Sequence, residues 1–176
     1  MKLLMHTCCG PCSVNIINYY QPSWEIKLFW YNPNIHPLEE YNLRLGALND
    51  YAKLLNLEVI TNLDYLESSW LESNRCQGCY ELRLRETFKY AKAHGYEAVT
   101  TTLLASPYQN HQLIKELLER YALEFQIPSL YIDLRNQYFD GLRYFKSLNL
   151  YSQKYCGCIF SFKEYLTRIN RVEKNA

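Results

Sequence analysis

Long apolar runs are missing from this chain, so no segment of it reads as a membrane span. The opening MKLLMH loses its apolar character too soon to serve as a signal peptide. Charge of one sign is also lacking: the formal net charge is +1, which excludes an obviously polybasic protein. Repeats, low-complexity tracts and long linkers are absent as well. These absences leave a cytoplasmic globular chain. At 176 residues with 48% apolar content, it is expected to form one domain over residues 1–176 with a proper core.

The charge that is present is uneven. From Leu130 onward there are eight Lys/Arg against four Asp/Glu, a balance of +4, while the preceding part carries eleven against fourteen, or −3. A basic C-terminal third suits contact with phosphates, although a solvated surface explains it equally. Seventeen tyrosines exceed what chance suggests. Most belong to packing, and a few are available to line a pocket or stack on bases.

Strand-like and helix-like segments alternate. KLLMH, EIKLFWY, LEVIT, YEAVTTT and PSLYIDL read as strands. CSVNIINYY, the long LEEYNLRLGALNDYAKLLN, CYELRLRETFKYAKAHG, NHQLIKELLERYALE, NQYFDGLRYFKSLN and CIFSFKEYLTRINR read as helices, and LDYLESSWLES as a short one. In the long second helix, Leu38, Tyr41, Leu45, Leu48, Ala52 and Leu55 fall on one stripe. Gly95 closes its helix as a C-cap, with His94 beside it. The pattern predicts an α/β fold: a doubly wound, mostly parallel sheet of about five strands, Rossmann-like, with a helical C-terminal segment. Such folds bind ligands beyond the carboxyl ends of their strands. TCCGPC, NPNIHP and TLLASPYQNH fall at that edge.

The seven cysteines come in groups: Cys8, Cys9 and Cys12; Cys76 and Cys79; Cys156 and Cys158. A reducing cytoplasm disfavours structural disulfides. Clustering disfavours the reading of scattered small hydrophobes. Cys12 and Cys79 are expected at helix starts, where the dipole favours thiolate. Four thiolates hold either a zinc ion or an iron–sulfur cluster. The adjacent Cys8–Cys9 pair is unusual for a zinc knuckle, and seven thiols exceed one closed zinc site. Iron–sulfur chemistry with a further metal or a redox-active thiol pair fits better. His6 lies beside the first group and reads as structural at least as well as a ligand; His36 and His111 sit on the candidate edge.

HTCCGPCS, YNPNIHPLEEYNLRL, RCQGCYELRLRET, TTLLASPYQNH and YSQKYCGCIFS, in that order, resemble the QueH-type epoxyqueuosine reductases over about Lys2 to Ser161. The resemblance implies a fold similar to adenine-nucleotide α-hydrolase-like proteins. It implies removal of the epoxide oxygen from epoxyqueuosine at the tRNA wobble position, the last step of queuosine formation, with electrons from an external donor. It implies a [4Fe–4S] cluster with an additional iron, and no cobalamin. By motif, Cys8, Cys9, Cys76 and Cys79 are the implied cluster ligands. Cys156 and Cys158 are implied partners of the second metal or a thiol pair next to it, and Cys12 is a further metal ligand. Gly10 stands where the family has Ala, a small-for-small exchange expected to matter little. The stretch between Trp70 and Arg75 is short for the family.

Within these motifs, Tyr108, His36, Tyr151 and Lys154 are candidate proton donors. Asn32, Asn34, Thr101, Thr102, Ser106 and Glu40 are candidates for the base and the cyclopentane hydroxyls, with Tyr151 and Lys154 also near substrate. Glu40 and Arg44 read equally as an i,i+4 pair at a helix start. Arg75, Arg83 and Arg85 are candidates for tRNA phosphates or simply a solvated helix face. Two other readings compete. One is an ATP-dependent tRNA-modifying enzyme of the ATP-pyrophosphatase type, which places an SGGxDS-like loop where this chain has TCCGPCS. The other is a zinc-stabilised tRNA-binding module without redox chemistry.

Overall fold

The computed structural model describes residues 1–66 and 75–174. Four strands form one parallel sheet: β1 (Lys2–His6), β2 (Glu25–Trp30), β3 (Glu58–Thr61) and β4 (Ala98–Thr101), in the order β3-β2-β1-β4. Leu3, Leu4 and Met5 of β1 are wholly buried, so the central strand is apolar on both faces, as a sheet covered on both sides requires. The register sets Leu3 opposite Ile26 and Ala98, and His6 opposite Phe29 and Thr101.

Six α-helices lie among the described residues: α1 (Gly10–Tyr20), α2 (Leu38–Leu54), α3 (Arg75–Ala93), α4 (His111–Phe125), α5 (Tyr138–Ser147) and α6 (Ile159–Lys174). The chain runs outward from β1 through β2 to β3, then returns to the other side of β1 for β4. Right-handed crossovers therefore place α1 and α2 on one face and α3 on the other. The packing agrees: α1 lies against α2 and α5, and α3 against α4, β1 and β4.

The predicted fifth strand over 128–134 is not formed. Val99 N–H donates to the Pro128 carbonyl (3.0 Å) and Leu130 N–H to that of Val99 (2.8 Å), a single parallel bridge at Ser129. The Thr100 hydroxyl then takes the Leu130 carbonyl (2.8 Å), and the pairing goes no further. The stripe on α2 is also corrected. Tyr41, Leu48 and Ala52 are buried, but Leu38 is 50% exposed, and the buried face extends instead to Glu40, Arg44 and Tyr51. The helix containing the C-x-x-C begins earlier than expected, so Cys76 and Cys79 both lie within the first turns of α3. His94, just past the end of α3, places its Nδ1 2.8 Å from the Tyr90 carbonyl oxygen and so caps the helix beside Gly95. The expected short helix at 63–73 and the stretch after Trp70 fall largely outside the described residues. No helix among the described residues is long and apolar enough to cross a membrane.

Candidate metal centre

β1 and β4 are neighbours whose following segments diverge to opposite faces, which opens a crevice at their carboxyl ends. The chain leaves β1 straight into Thr7, Cys8 and Cys9. Cys9 is the N-cap of α1, in extended conformation, and its thiol caps no backbone N–H. Thr102, just after β4, ties the two edges together: its Oγ1 accepts from Cys8 N–H (3.2 Å) and lies 3.5 Å from the Cys8 sulfur. The sulfurs of Cys8, Cys9 and Cys12 all lie within 4.8 Å of one another and are buried. One turn of helix brings Cys12 back above Cys8 and Cys9.

Gly10 permits the approach of α1 to α5. A Cβ at Gly10 would lie 2.1 Å from Cζ of Phe145, which is wholly buried and packed edge-on against Tyr51. The exchange of Ala for Gly at this position is therefore not neutral: Phe145 fills the space a methyl group would need.

The Cys156–Gly157–Cys158 turn is held from α2. Arg44 and Glu40 form a buried ion pair (2.6 Å). Arg44 also donates to the carbonyls of Cys156 and Tyr155, each at 2.8 Å. Tyr151 gives its hydroxyl proton to the other Glu40 oxygen. Gly157 adopts φ +118°, and a Cβ there would meet the Arg44 guanidinium at 2.8 Å. His36 N–H donates to the Gly157 carbonyl (2.7 Å), and Gly157 N–H to Ser161 Oγ (3.0 Å).

All seven cysteines line one cavity of 610 Å³. Its walls also include Arg44, Arg75, Tyr80, Arg83, Ser106, Tyr108, Gln109, Tyr138, Gln153, Lys154, Tyr155, Tyr165 and Arg168. A second concavity, 690 Å³, lies over the outer face of α2 between Leu38, Leu43 and Leu150 and contains no thiol or cation.

The electrostatics set apart two groups among the seven thiols. Hydrogen bonding with Cys12 and Cys9 holds the Cys8 thiol well below the ordinary range. Burial pushes Cys9 up, and the hydrogen bond with Cys8 does the same to Cys12. On the opposite wall, hydrogen bonds from Cys156 and from the Ser161 hydroxyl and N–H bring Cys158 down to about 4, while Cys156 is pushed up. Each group thus accommodates one thiolate beside protonated neighbours. A buried set of this kind gives up its remaining protons only to a cation. A donor set of sulfur alone, seven strong around one cavity, fits an iron–sulfur centre.

Of the other residues singled out in the sequence, Arg44, Arg75, Arg83, Ser106, Tyr108 and Lys154 line the cavity. The rest do not line it, and most of them are committed to partners within the fold. Asn32 donates to the Thr7 carbonyl (2.8 Å). Asn34 accepts two bonds from Arg83 (3.0 and 2.8 Å). Thr101 Oγ1 pairs with His6 Nδ1 (2.9 Å) and accepts from Leu103 N–H. His36 Nδ1 lies 3.0 Å from Tyr65 Oη, and Tyr151 is committed to Glu40. His111 Nε2 lies 3.1 Å from the Ser106 carbonyl oxygen. Arg75 is taken by Glu164 and Arg85 by Glu124.

Two polar contacts to sulfur were not foreseen. Gln153 donates to Cys9 Sγ (2.9 Å) and Gln109 reaches Cys156 Sγ (3.9 Å). Their place inside the YSQKYCGC and SPYQNH motifs was the available signal. Tyr138 was also missed: it lines the cavity, and burial, reinforced by Cys12 and Cys9, pushes its phenol up so that it stays protonated.

Comparison with known proteins places these features in a family. The family described as "Epoxyqueuosine reductase QueH" matches residues 3–164. The protein of that name from Dehalococcoides mccartyi is 36% identical, covering 96% of this chain and 97% of its own. Its Thermotoga maritima namesake is 32% identical, covering 92% and 91% respectively. Among solved structures, the U34-tRNA thiolase NcsA from Methanococcus maripaludis with its [4Fe-4S] cluster superposes with TM-score 0.58 at 13% identity, over 99% of this chain and 67% of that one. At that identity the likeness shows the fold.

Proposed function

The chain belongs to the QueH family of epoxyqueuosine reductases, and from that premise we propose that it reduces the epoxide of epoxyqueuosine in tRNA to give queuosine. The observation that carries the reading is the convergence of all seven cysteines on one cavity at the carboxyl edge of the sheet. The reaction takes up two electrons and two protons, breaks both C–O bonds of the epoxide, forms the alkene and releases water. We assign Cys8, Cys9, Cys76 and Cys79 to a [4Fe–4S] cluster and Cys156 and Cys158 to an additional iron, with Cys12 in the corner shared by Cys8 and Cys9. When bound, such a centre supplies electrons in single steps and a Lewis-acidic iron.

The chain's own residues do the rest. Gln153 and Gln109 donate to thiol sulfurs and so favour their deprotonated form. Arg44 fixes the carbonyls of Tyr155 and Cys156 and thereby the direction of the Cys156 thiol. Tyr138 Oη, kept protonated at neutral pH, holds a proton within the cavity for the departing oxygen. The aromatic walls formed by Tyr80, Tyr138 and Tyr155 limit water around the reacting bond. The whole chain, 1–176, acts as one reductase domain in the cytoplasm, taking electrons from an external donor.

Anaerobic purification with iron, sulfide and zinc analysis and a visible spectrum tests the centre. A brown protein with iron and sulfide in matching amounts, bleached by dithionite, is expected. A colourless protein holding one zinc after reconstitution with iron and sulfide contradicts it and favours the zinc-stabilised module. Turnover that requires ATP favours the ATP-pyrophosphatase type.

A further inference from the structure

Many exposed cations have a carboxylate neighbour, while Lys2, Lys92, Lys146 and Lys163 stand exposed without one among the described residues. Arg85 bonds Glu124, Arg120 lies by Glu81, Arg135 by Asp133 and Arg143 by Asp140. Lys27, Lys53, Lys89 and Lys115 each have a carboxylate within reach. At the mouth of the thiol cavity Arg75 is paired with Glu164, but two further cations are not paired. Lys154 and Arg168 line it, both exposed, and neither has a carboxylate partner among the described residues. Arg171, equally exposed and without a carboxylate partner among the described residues, follows Arg168 on the same face of α6, one turn further out.

Among the described residues, the helix that bears Arg168 and Arg171 is anchored at its base. Tyr155 packs at a tilt against Phe162 (5.5 Å) and stacks on Tyr165 (5.1 Å), and Arg75 bonds both Glu164 oxygens (2.6 and 3.0 Å). α6 packs extensively against no other helix or strand among the described residues. It therefore projects from the cavity wall, with Arg168 lying over the Tyr165 ring at 5.7 Å and its charge not neutralised by a carboxylate among the described residues. Elsewhere on the rim stands Tyr108, 74% exposed, its ring steadied edge-on by Tyr138 at 5.8 Å.

We propose that Lys154, Arg168 and Arg171 form a phosphate-contacting rim, with Tyr108 as a stacking platform, that grips single-stranded loop RNA on either side of the nucleotide entering the cavity. The identity of that nucleotide rests on the reductase reading above. Unneutralised cations and an exposed ring beside a deep pocket are what a splayed strand requires: charge for its phosphates, a flat apolar face for a neighbouring base. Sequence alone nominated Arg75, Arg83 and Arg85 for phosphates. All three are engaged within the protein, on Glu164, Asn34 and Glu124.

The test is the affinity of the reconstituted full chain for fluorescein-labelled tRNA bearing unmodified guanine at the wobble position, measured across a salt series. Because this RNA is not turned over, binding is read apart from catalysis. Lys154→Gln, Arg168→Gln and Arg171→Gln combined are expected to lower the slope of log K against log salt by about 2 to 3. Tyr108→Ala is expected to weaken binding about tenfold with the slope unchanged, and Tyr108→Phe to retain affinity. Arg171→Gln alone, outside the cavity, is expected to lower the slope by about 1 and keeps the test open should the triple variant not fold. Lys53→Gln and Lys89→Gln serve as controls. Wild-type slope and affinity in the triple variant overturn the rim, as does an equal effect from the controls. Binding through this rim without any deoxygenation of epoxyqueuosine-tRNA overturns the reductase reading and leaves the rim standing.

Discussion

At the scale of single residues, the thiols are not equivalent, and their substitutions should separate. Changing Cys8, Cys9, Cys76 or Cys79 to Ala is expected to abolish the visible absorbance of the reconstituted protein. Cys156→Ala or Cys158→Ala should keep most of the colour and lose turnover; full activity in both would end the assignment of an additional iron there. Tyr138→Phe should keep iron and colour while lowering kcat about 10²- to 10³-fold, the range of a lost general acid. An unchanged kcat would remove Tyr138 from the proton path. His6 offers a test by pH. It is fully buried, and burial with the nearby Arg83 charge lowers it to about 4 from an ordinary 6.5. The unfolded chain binds this proton below about pH 6.5, and the folded chain refuses it until about pH 4. Metal-free protein should therefore lose stability as pH falls through that window, by up to about 3 kcal/mol from this residue. Urea denaturation of wild type against His6→Gln reads the difference, and parallel pH profiles would contradict it.

At the scale of elements, two contacts decide where the thiols stand. Gly10→Ala drives a methyl group into Phe145 and should cost about 1–3 kcal/mol, the usual price of overpacking, read as a lowered urea midpoint. Arg44→Met leaves Glu40 buried without its cation and frees the Cys156 carbonyl. It should cost about 3–5 kcal/mol and lower the iron retained per chain. Stability and iron content equal to wild type would show that the buried pair does not position the turn. Much of this layout was legible in the sequence. The apolar KLLMH followed at once by three cysteines placed the thiols at a strand end, and alternating periodicity gave the parallel sheet. The partners of Arg44 were not legible. The i,i+4 spacing shows Glu40, but the carbonyls of Tyr155 and Cys156 lie more than a hundred residues away, and only the folded chain brings them together. The missing fifth strand is of the same kind. PSLYIDL has strand-like residues, yet its pairing stops where a threonine side chain takes a backbone acceptor. Side chains committed behind the cavity, such as Asn32 and His36, look identical in sequence to side chains facing it.

At the scale of the molecule, a parallel sheet brings the segments after β1 and β4, the start of α3 and the turn before α6 to one edge; cysteines occupy three of them, and the segment after β4 contributes Thr102, which holds Cys8. Where nucleotide-binding sheets of this general architecture present backbone to phosphate, this chain presents sulfur. The basic bias of its last third is concentrated in Lys154 and in α6, beside the opening rather than spread over the surface. The most direct test of the whole account is nucleoside analysis by mass spectrometry of epoxyqueuosine-containing tRNA, incubated anaerobically with the reconstituted protein and a chemical reductant. Conversion of epoxyqueuosine to queuosine, lighter by one oxygen atom and dependent on both protein and reductant, is the result expected. Unchanged epoxyqueuosine in the presence of a full iron–sulfur complement and bound tRNA would contradict it.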